Sequence, residues 1–281
     1  MRKIPVIILF VAVWMSIAGC NDFFESVVDL DVPEHESKLA VTALLGNGGD
    51  DDSRQLLISY SVGGLEESSE EQLVDDATVS LGGTPLVFTG NSGIYSLPAD
   101  FEFVPGESYE LIAEAPGFPI VTAVQTFPVT VPVMSATVNG EMLTLGFHDP
   151  PGTEDYYGVS VFLKYGEGEW SRVWVSSFES IKPGTYYYDG LLFSDQTFDG
   201  EYHEFDLKME YYDENEEGQE VQYKFVLSHT NGEMIRYYQT LESNEMAQSN
   251  PFAQPVIVYS NIEGGYGIFS LSNDSELVIG E

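Results

Sequence analysis

The chain has 281 residues, of which 46 are Asp or Glu and only 10 are Lys or Arg, so its formal net charge is −36 at pH 7. A protein this acidic is repelled by phosphate backbones and by anionic lipid, which excludes nucleic acid as a partner and excludes membrane adsorption by charge alone. The hydrophobic content of 43% is enough to build packed cores, and the length favours two domains of about 100 to 200 residues each.

Residues 1–19 have the organisation of a bacterial secretory signal. Arg2 and Lys3 precede an apolar stretch that is shorter than the roughly 20 residues of a membrane helix. Cys20 is the only cysteine and directly follows the small residues 17–19, which resembles a lipobox, where signal peptidase II cuts before a cysteine that carries acyl chains. A plain signal peptide with a chance cysteine is the alternative. We expect lipidation at Cys20 and no disulfide within the chain.

The next segments are predicted to be a tether and a first β domain. Residues 20–36 are polar and acidic and indicate a tether between lipid and fold. Residues 37–128 contain short β-branched and apolar runs separated by Gly or Pro, with a hairpin signal at Gly82-Gly83. This pattern predicts a small antiparallel sandwich.

Residues 129–281 are predicted to form a second, larger β-sandwich after the boundary near Pro128. Asn139-Gly140 is a strong hairpin signal. Apolar and polar residues alternate over 204–211 and again over 221–227, which predicts a long ribbon of two paired strands joined by a turn. The overall fold class is therefore all-β, with two antiparallel sandwich domains.

One helix is predicted near residues 231–246. Thr230 and Glu233 have the spacing of a capping box, and Asn250-Pro251 ends the pattern. Between these signals the apolar side chains fall on one stripe, at Met234, Ile235, Tyr238 and Leu241. We expect this helix to cover one end or face of the second sandwich.

The sequence contains no catalytic motif. The four histidines lack metal-ligand spacing, and each is expected to be solvated or part of a cross-strand ladder; they are His35, His148, His203 and His229. A nucleophile elbow and a phosphate-binding glycine loop are both missing. A triad or a carboxylate pair that assembles only in the folded protein stays open, but we expect no enzyme.

Two acidic clusters are candidates for a cation site, since Ca²⁺ takes oxygen ligands from loops. They are Asp50, Asp51 and Asp52 in one loop, and Asp213 with Glu217 in another. The second cluster begins like a calcium loop, but Lys224 stands where the closing glutamate is required. Solvated turns are the favoured interpretation of both, so no cofactor is expected.

Aromatic residues are candidates for partner binding, because Tyr and Trp provide large contact areas. The candidates are Tyr186, Tyr187, Tyr188, Trp170 and Trp174. Cross-strand packing within sheets would enrich the same residue types and is the favoured alternative.

Several stretches resemble a known family. They are Val28-Asp29-Leu30-Asp31-Val32-Pro33, Leu145-Gly146-Phe147-His148-Asp149-Pro150-Pro151-Gly152, Tyr156-Tyr157, Leu192-Phe193-Ser194-Asp195 and Ser260-Asn261-Ile262-Glu263-Gly264-Gly265-Tyr266-Gly267-Ile268-Phe269. The chain resembles the Bacteroidota outer-membrane lipoproteins catalogued as domain of unknown function forty-two forty-nine. The resemblance implies an immunoglobulin-like or transthyretin-like first half, an outer-membrane location and a TonB-dependent receptor as neighbour, and it implies no catalytic residues.

These observations lead to one functional hypothesis and two rivals. The hypothesis is an outer-membrane lipoprotein, on the periplasmic or the cell-surface face, that acts as an accessory or ligand-binding partner of a TonB-dependent transporter. The rivals are a structural or adhesive surface protein and a hydrolase.

Overall fold

The computed structural model describes residues 35–48, 52–63, 72–177, 186–187, 190–210, 220–249 and 252–280. Glu36–Glu281 form one compact unit. Its strands are β1 (Leu39–Gly46), β2 (Gln55–Tyr60), β3 (Thr78–Leu81), β4 (Thr84–Pro85), β5 (Val87–Phe88), β6 (Ile94–Ser96), β7 (Ser108–Glu114), β8 (Val121–Thr126), β9 (Val133–Asn139), β10 (Met142–His148), β11 (Tyr156–Tyr165), β12 (Ser171–Val173), β13 (Val175–Ser177), β14 (Tyr186–Tyr187), β15 (Leu191–Ser194), β16 (Tyr202–Met209), β17 (Val221–Thr230) and β18 (Tyr266–Gly280). A short 3₁₀ turn, Asp52–Arg54, precedes β2, and the α-helix α1 spans Gly232–Gln248.

The described strands form three sheets. The largest has ten strands in the order β14-β15-β11-β17-β18-β1-β2-β6-β5, with β12 also paired to β11. The two smaller sheets have the orders β4-β3-β7-β8 and β13-β16-β10-β9. The predicted all-β class with packed antiparallel sheets and one helix is confirmed.

Each smaller sheet packs on a different part of the large sheet and encloses its own core. In the first core, Val41 and Ile58 of the large sheet are buried with Leu111. In the second core, Phe225 of the large sheet is buried with Leu145. Burial of each such side chain contributes about 1.5 to 3 kcal/mol, so these two cores hold the sheets face to face.

Strand β18 is shared by both parts of the large sheet. Its first half pairs in parallel with β1, from Ala40↔Tyr266 to Gly46↔Ser272. Its second half pairs in antiparallel fashion with β17, from Thr230↔Ser272 to Gln222↔Gly280. Phe269 of β18 is buried in the first core, although the sequence places it in the C-terminal half. The parallel pair is an exception to the antiparallel pairing that the sequence predicts.

The prediction that residues 204–211 and 221–227 pair with each other as a ribbon is wrong. Strand β16 pairs with β10 and β13, whereas β17 pairs with β11 and β18 in the other sheet. The apolar faces of the two strands meet across the second core, where Phe205 and Phe225 are both buried. Alternation predicts which side of a strand is apolar, but it does not identify the neighbouring strand.

Helix α1 confirms the predicted position, but it has no capping box. Asn231 is the N-cap residue and makes no side-chain cap hydrogen bond. Its side chain instead accepts from the backbone N–H of Leu271 at 2.8 Å and donates to the carbonyl of Thr126 at 3.0 Å. Asn231 therefore fixes the start of the helix to β18 and to the end of β8.

The helix covers the outer face of the large sheet, on the side away from the two cores. Its buried residues Ile235 and Tyr238 cluster with Leu192, and Leu44 packs against them. Leu192 stands between the core residues Leu191 and Phe193 in β15, so it points to the opposite face. Within the part of the chain that the structure describes, no helix has the length and apolar character needed to cross a bilayer.

The segment between the two halves of the chain is held by side chains of the large sheet. Asn273 Nδ2 donates to the carbonyl of Pro128 at 2.8 Å, and Ser275 Oγ donates to that of Val131 at 2.6 Å. His229 Nδ1 lies 2.8 Å from the carbonyl oxygen of Val129. The boundary that the sequence places near residue 128 is thus tied to β17 and β18.

Candidate functional site

A groove of about 810 Å³ runs over the outer face of the large sheet. Residues from β1, β2, β11, β15, β17 and β18 line it, and Met234 and Tyr238 of α1 line it on the helix side. The lining side chains of β11 and β17 alternate with core residues, for example Ser160 with Val161 and Lys224 with Phe225. The same period-two pattern that builds the cores therefore builds the groove on the reverse side.

The floor of the groove is made of small and polar residues. Gly158 is opposite Ser228, which in turn is opposite Asp274 on β18. A Cβ atom on Gly158 would lie 3.3 Å from Leu192 Cδ2, so the missing side chain keeps the groove open. Hydroxyl and carboxylate groups along this row offer both donors and acceptors to a ligand.

Positive charge and aromatic rings meet at one side of the groove, in a group we call the cation–aromatic cluster. Its members are Phe162, Lys164, Trp170, Arg172 and Lys224. Phe162 is the cross-strand neighbour of both Arg172 and Lys224. Lys224 Nζ lies 4.8 Å from the Phe162 ring centre and 5.5 Å from that of Trp170. Arg172 Cζ lies 5.2 Å from the Phe162 centre, and Lys164 Nζ lies 5.1 Å from the Trp170 centre.

The cluster concentrates three of the ten cationic residues of a strongly acidic chain. Lys224 also pairs with Glu276 Oε1 at 3.5 Å and is only 20% exposed. The rings hold the cations in place, since each cation–π contact contributes about 0.5 to 1 kcal/mol at an exposed site and more when desolvated. An anionic group is attracted to this side of the groove, whereas Asp52, Asp274 and Glu276 elsewhere in the lining are acidic.

A second group of polar residues lies next to strand ends of the large sheet and of one smaller sheet, and we call it the carboxylate cluster: Asp149, Asp155 and Asp195. Asp149 directly follows β10, Asp155 directly precedes β11, and Asp195 directly follows β15. One carboxylate oxygen from each lies within 4.8 Å of the others. Asp149 is fully buried, Asp195 is 1% exposed and Asp155 is 9% exposed.

Asp149 and Asp155 are held by hydrogen bonds on both oxygens. The Tyr157 hydroxyl donates to Asp149 Oδ1 at 2.5 Å, and the Gly200 N–H donates to Oδ2 at 2.8 Å. Thr153 Oγ1 donates to Asp155 Oδ2 at 3.1 Å. Burial and the hydrogen bond to Asp149 raise the pKa of Tyr157 above its ordinary value, so this phenol stays a donor at neutral pH.

Asp195 differs from the other two acids. Its backbone N–H donates to the carbonyl of Asp155 at 3.1 Å, but its buried Oδ2 has no hydrogen-bond partner among the described residues. Burial, together with the charges of Asp149 and Asp155, raises the pKa of Asp195 to about 6. An ionised carboxylate in this position repels the other two carboxylates unless a cation or a proton binds to it.

His229 links the carboxylate cluster to the segment between the two halves. Its Nε2 lies 3.0 Å from Asp155 Oδ1, and its ring stacks on Tyr157 with the centres 5.1 Å apart. Because the Val129 carbonyl can only accept, Nδ1 carries a hydrogen. His229 is not solvated, since it is 5% exposed, but it stands in a cross-strand ladder directly opposite Tyr157.

Comparison with known proteins adds a family. A family model described as Domain of unknown function (DUF4249) matches residues 25–277. The chain belongs to the DUF4249 family. No curated protein and no solved structure matched it. The groove and the carboxylate cluster both lie inside the matched span, so they are features of the DUF4249 domain of this protein.

The structure of this DUF4249 protein brings one predicted aromatic residue into the groove. Trp170 lies in the cation–aromatic cluster. Trp174 is 63% exposed and does not line the groove. Tyr186 and Tyr187 form β14, but their side chains and all of Tyr188 lie outside the described residues.

Most of the other predicted site residues of the DUF4249 protein also lie outside the described residues. These are Cys20 with the signal segment, Asp50, Asp51, Asp213 and Glu217. Asp52 is described, belongs to the 3₁₀ turn and lines the groove. Sequence reasoning missed the carboxylate cluster, although one signal was present: Asp149 and Asp195 each directly follow a strand that contains buried apolar residues.

Proposed function

We propose that this DUF4249 protein is a lipid-anchored binding protein of the outer membrane. In this proposal it holds a small anionic, hydroxyl-rich ligand in the groove and works beside a TonB-dependent transporter. The observation that carries the proposal is the cation–aromatic cluster next to a floor of small polar side chains. An acidic saccharide is the ligand chemistry that fits this arrangement best.

The fit rests on three complementary contacts. Trp170 offers an aromatic face on which the apolar face of a sugar ring stacks. Arg172 and Lys224 attract a carboxylate, and hydrogen bonds between ionised partners are about twice as strong as neutral ones. The hydroxyl groups of Ser160 and Ser228 face the same space and suit the hydroxyl groups of a sugar.

The rival functions have less support. A hydrolase needs acids that reach the substrate; the buried acids Asp149 and Asp195 do not line the groove, and among the acids that do, Glu276 is paired with Lys224. A purely structural or adhesive role does not account for a groove of this size in which Trp170 lies beside Arg172 and Lys224. The carboxylate cluster therefore supports a role in holding the fold together rather than in cleaving a bond.

The groove proposal predicts that Trp170→Ala weakens binding of the galacturonic acid disaccharide by at least tenfold. The reason is the loss of the stacking face, for which about 1.4 kcal/mol corresponds to tenfold. Trp174→Ala is the matched control, because it removes the same side chain outside the groove. Isothermal titration calorimetry of the two variants and the wild type measures the difference.

A neutral disaccharide, lactose, separates charge from stacking in the same titrations. Lys224→Met should weaken binding of the acidic disaccharide by at least threefold and leave the affinity for lactose unchanged. If the wild type binds neither sugar, or if Trp170→Ala and Trp174→Ala behave alike, the acidic saccharide proposal fails.

The location has its own test at Cys20. Acyl chains contribute about 0.8 kcal/mol per buried CH₂, and two or more chains anchor a protein stably. We expect Cys20→Ala to abolish incorporation of radiolabelled palmitate and to move the protein into the soluble fraction after cell lysis. Full sedimentation of Cys20→Ala with the membranes would show that something else anchors the chain.

A further inference from the structure

We infer that the carboxylate cluster of Asp149, Asp155 and Asp195 is a Ca²⁺ site. This inference does not depend on the groove or on its ligand. It rests on the convergence of the three acids, on the buried Oδ2 of Asp195 and on the dimensions of the cluster.

The first argument is charge. Three carboxylates converge in the interior. Among the described residues, the basic side chain placed against them is His229, at 3.0 Å from Asp155, and one imidazole ring can balance at most one of the three carboxylates. Taking an unbalanced ion out of water is strongly unfavourable, so an occupant with two positive charges suits the remaining pair.

The second argument is the buried oxygen of Asp195. Buried polar atoms in folded proteins nearly always have partners, and an exception needs an explanation such as a bound ion. Asp195 Oδ2 is buried with no hydrogen-bond partner among the described residues. Its carboxyl group is one of the three that converge, so a cation in the cluster supplies the partner that this oxygen lacks.

The third argument is size, and it favours Ca²⁺ over Mg²⁺. Calcium binds oxygen at about 2.3 to 2.6 Å, so two ligands on opposite sides of the ion lie about 4.6 to 5.2 Å apart. The three carboxylate oxygens lie within 4.8 Å of one another, which a calcium ion can span. Magnesium demands near-ideal octahedral geometry and usually keeps several waters, so a buried cluster of acids fixed at strand ends suits the larger calcium ion better.

The surrounding hydrogen bonds orient the acids for such an ion. Tyr157 and Gly200 fix both oxygens of Asp149, and Thr153 fixes Asp155. Each carboxylate oxygen has two lone pairs, so a hydrogen bond leaves one lone pair for a metal. Partners of this kind hold metal ligands in position. The ion would join the ends of β10, β11 and β15.

This location differs from the calcium candidates of the sequence analysis. Those candidates form two local groups, Asp50, Asp51 and Asp52 in one loop and Asp213 with Glu217 in another. The acids of the carboxylate cluster come from two different loops, with Asp149 and Asp195 46 positions apart. The two assignments are distinguishable, since a variant at Asp195 leaves both acidic loops intact.

The test is a titration of the full-length protein, first treated with chelator and then dialysed, with CaCl₂ in a calorimeter. We expect one ion per chain, an increase in melting temperature with CaCl₂ that matched KCl does not give, and weaker binding of MgCl₂. Asp195→Asn should weaken Ca²⁺ binding at least tenfold. Asp206→Asn is the matched control, because Asp206 is an exposed acid of the same half that bonds Thr144.

Terbium locates the ion independently and covers the case in which Asp195→Asn does not fold. Tb³⁺ replaces Ca²⁺ and emits when a nearby tyrosine is excited. We expect this emission to be displaced by Ca²⁺ and to fall by more than half in Tyr157→Phe. The inference is overturned if the wild type shows no stoichiometric Ca²⁺ binding, if a folded Asp195→Asn binds as tightly as Asp206→Asn, or if Tyr157→Phe leaves the emission unchanged.

Discussion

Replacing Gly267 with alanine should lower the free energy of unfolding by roughly 3 to 5 kcal/mol. Gly267 has φ +106, which L side chains rarely adopt. It is also the parallel partner of Val41, and a Cβ atom there would overlap the Val41 carbonyl oxygen. The variant must therefore strain β18 or break its pairing with β1. Urea denaturation followed by circular dichroism measures the loss.

Gly83→Ala is the matched control for this prediction. Gly83 also has a positive φ, +81, but its Cβ would meet no atom within 4 Å. We expect Gly83→Ala to lower the free energy of unfolding only by the cost of holding alanine at a positive φ, about 1 kcal/mol. Equal losses in the two variants would show that the close approach of β18 to β1 does not limit stability.

Replacing His229 with leucine should lower the free energy of unfolding by about 3 to 5 kcal/mol. Leucine fills much of the same volume, but it leaves Asp155 Oδ1 without its partner at 3.0 Å and the Val129 carbonyl without its donor. Breaking a buried pair from one side leaves an uncompensated charge, which is more unfavourable than removing both partners. The measurement is urea denaturation in the presence of EDTA, so that bound metal does not contribute.

A surface ion pair provides the comparison. Lys208 and Glu141 lie 3.7 Å apart and are 39% and 53% exposed, so Lys208→Leu should change stability by less than about 1 kcal/mol. In the double variant Asp155→Leu with His229→Leu, the loss should be smaller than the sum of the two single losses. A loss for His229→Leu no larger than that for Lys208→Leu would contradict the buried pair.

Local patterns predicted the elements well, for a physical reason. Strands β16 and β17 overlap the predicted segments 204–211 and 221–227, the hairpin at Asn139-Gly140 joins β9 to β10, and the helix lies where its apolar stripe and end signals place it. Each of these features depends on residues within a few positions of one another. Side-chain direction and turn geometry are determined at that range.

The sites could not be predicted in the same way, because they depend on register between distant strands. Trp170 was a candidate only by residue type. Its cationic neighbour Lys224 lies on β17, which pairs with β11 so that Lys224 is directly opposite Phe162. His229 reaches Asp155 across 74 positions of sequence. Alternating patterns do not encode which strand lies beside which, as the wrong pairing of β16 with β17 also shows.

The shared strand β18 has a consequence for the order in which the chain folds. Strand β1 needs residues 266–272 as its neighbour, 226 positions later in the chain, so the first core is completed long after β1 has been synthesised. Contacts this distant in sequence slow folding. Until they form, Leu39–Gly46 presents an open apolar strand edge, which is a template for aggregation. Truncations that remove β18 should therefore be insoluble rather than yield an isolated first half.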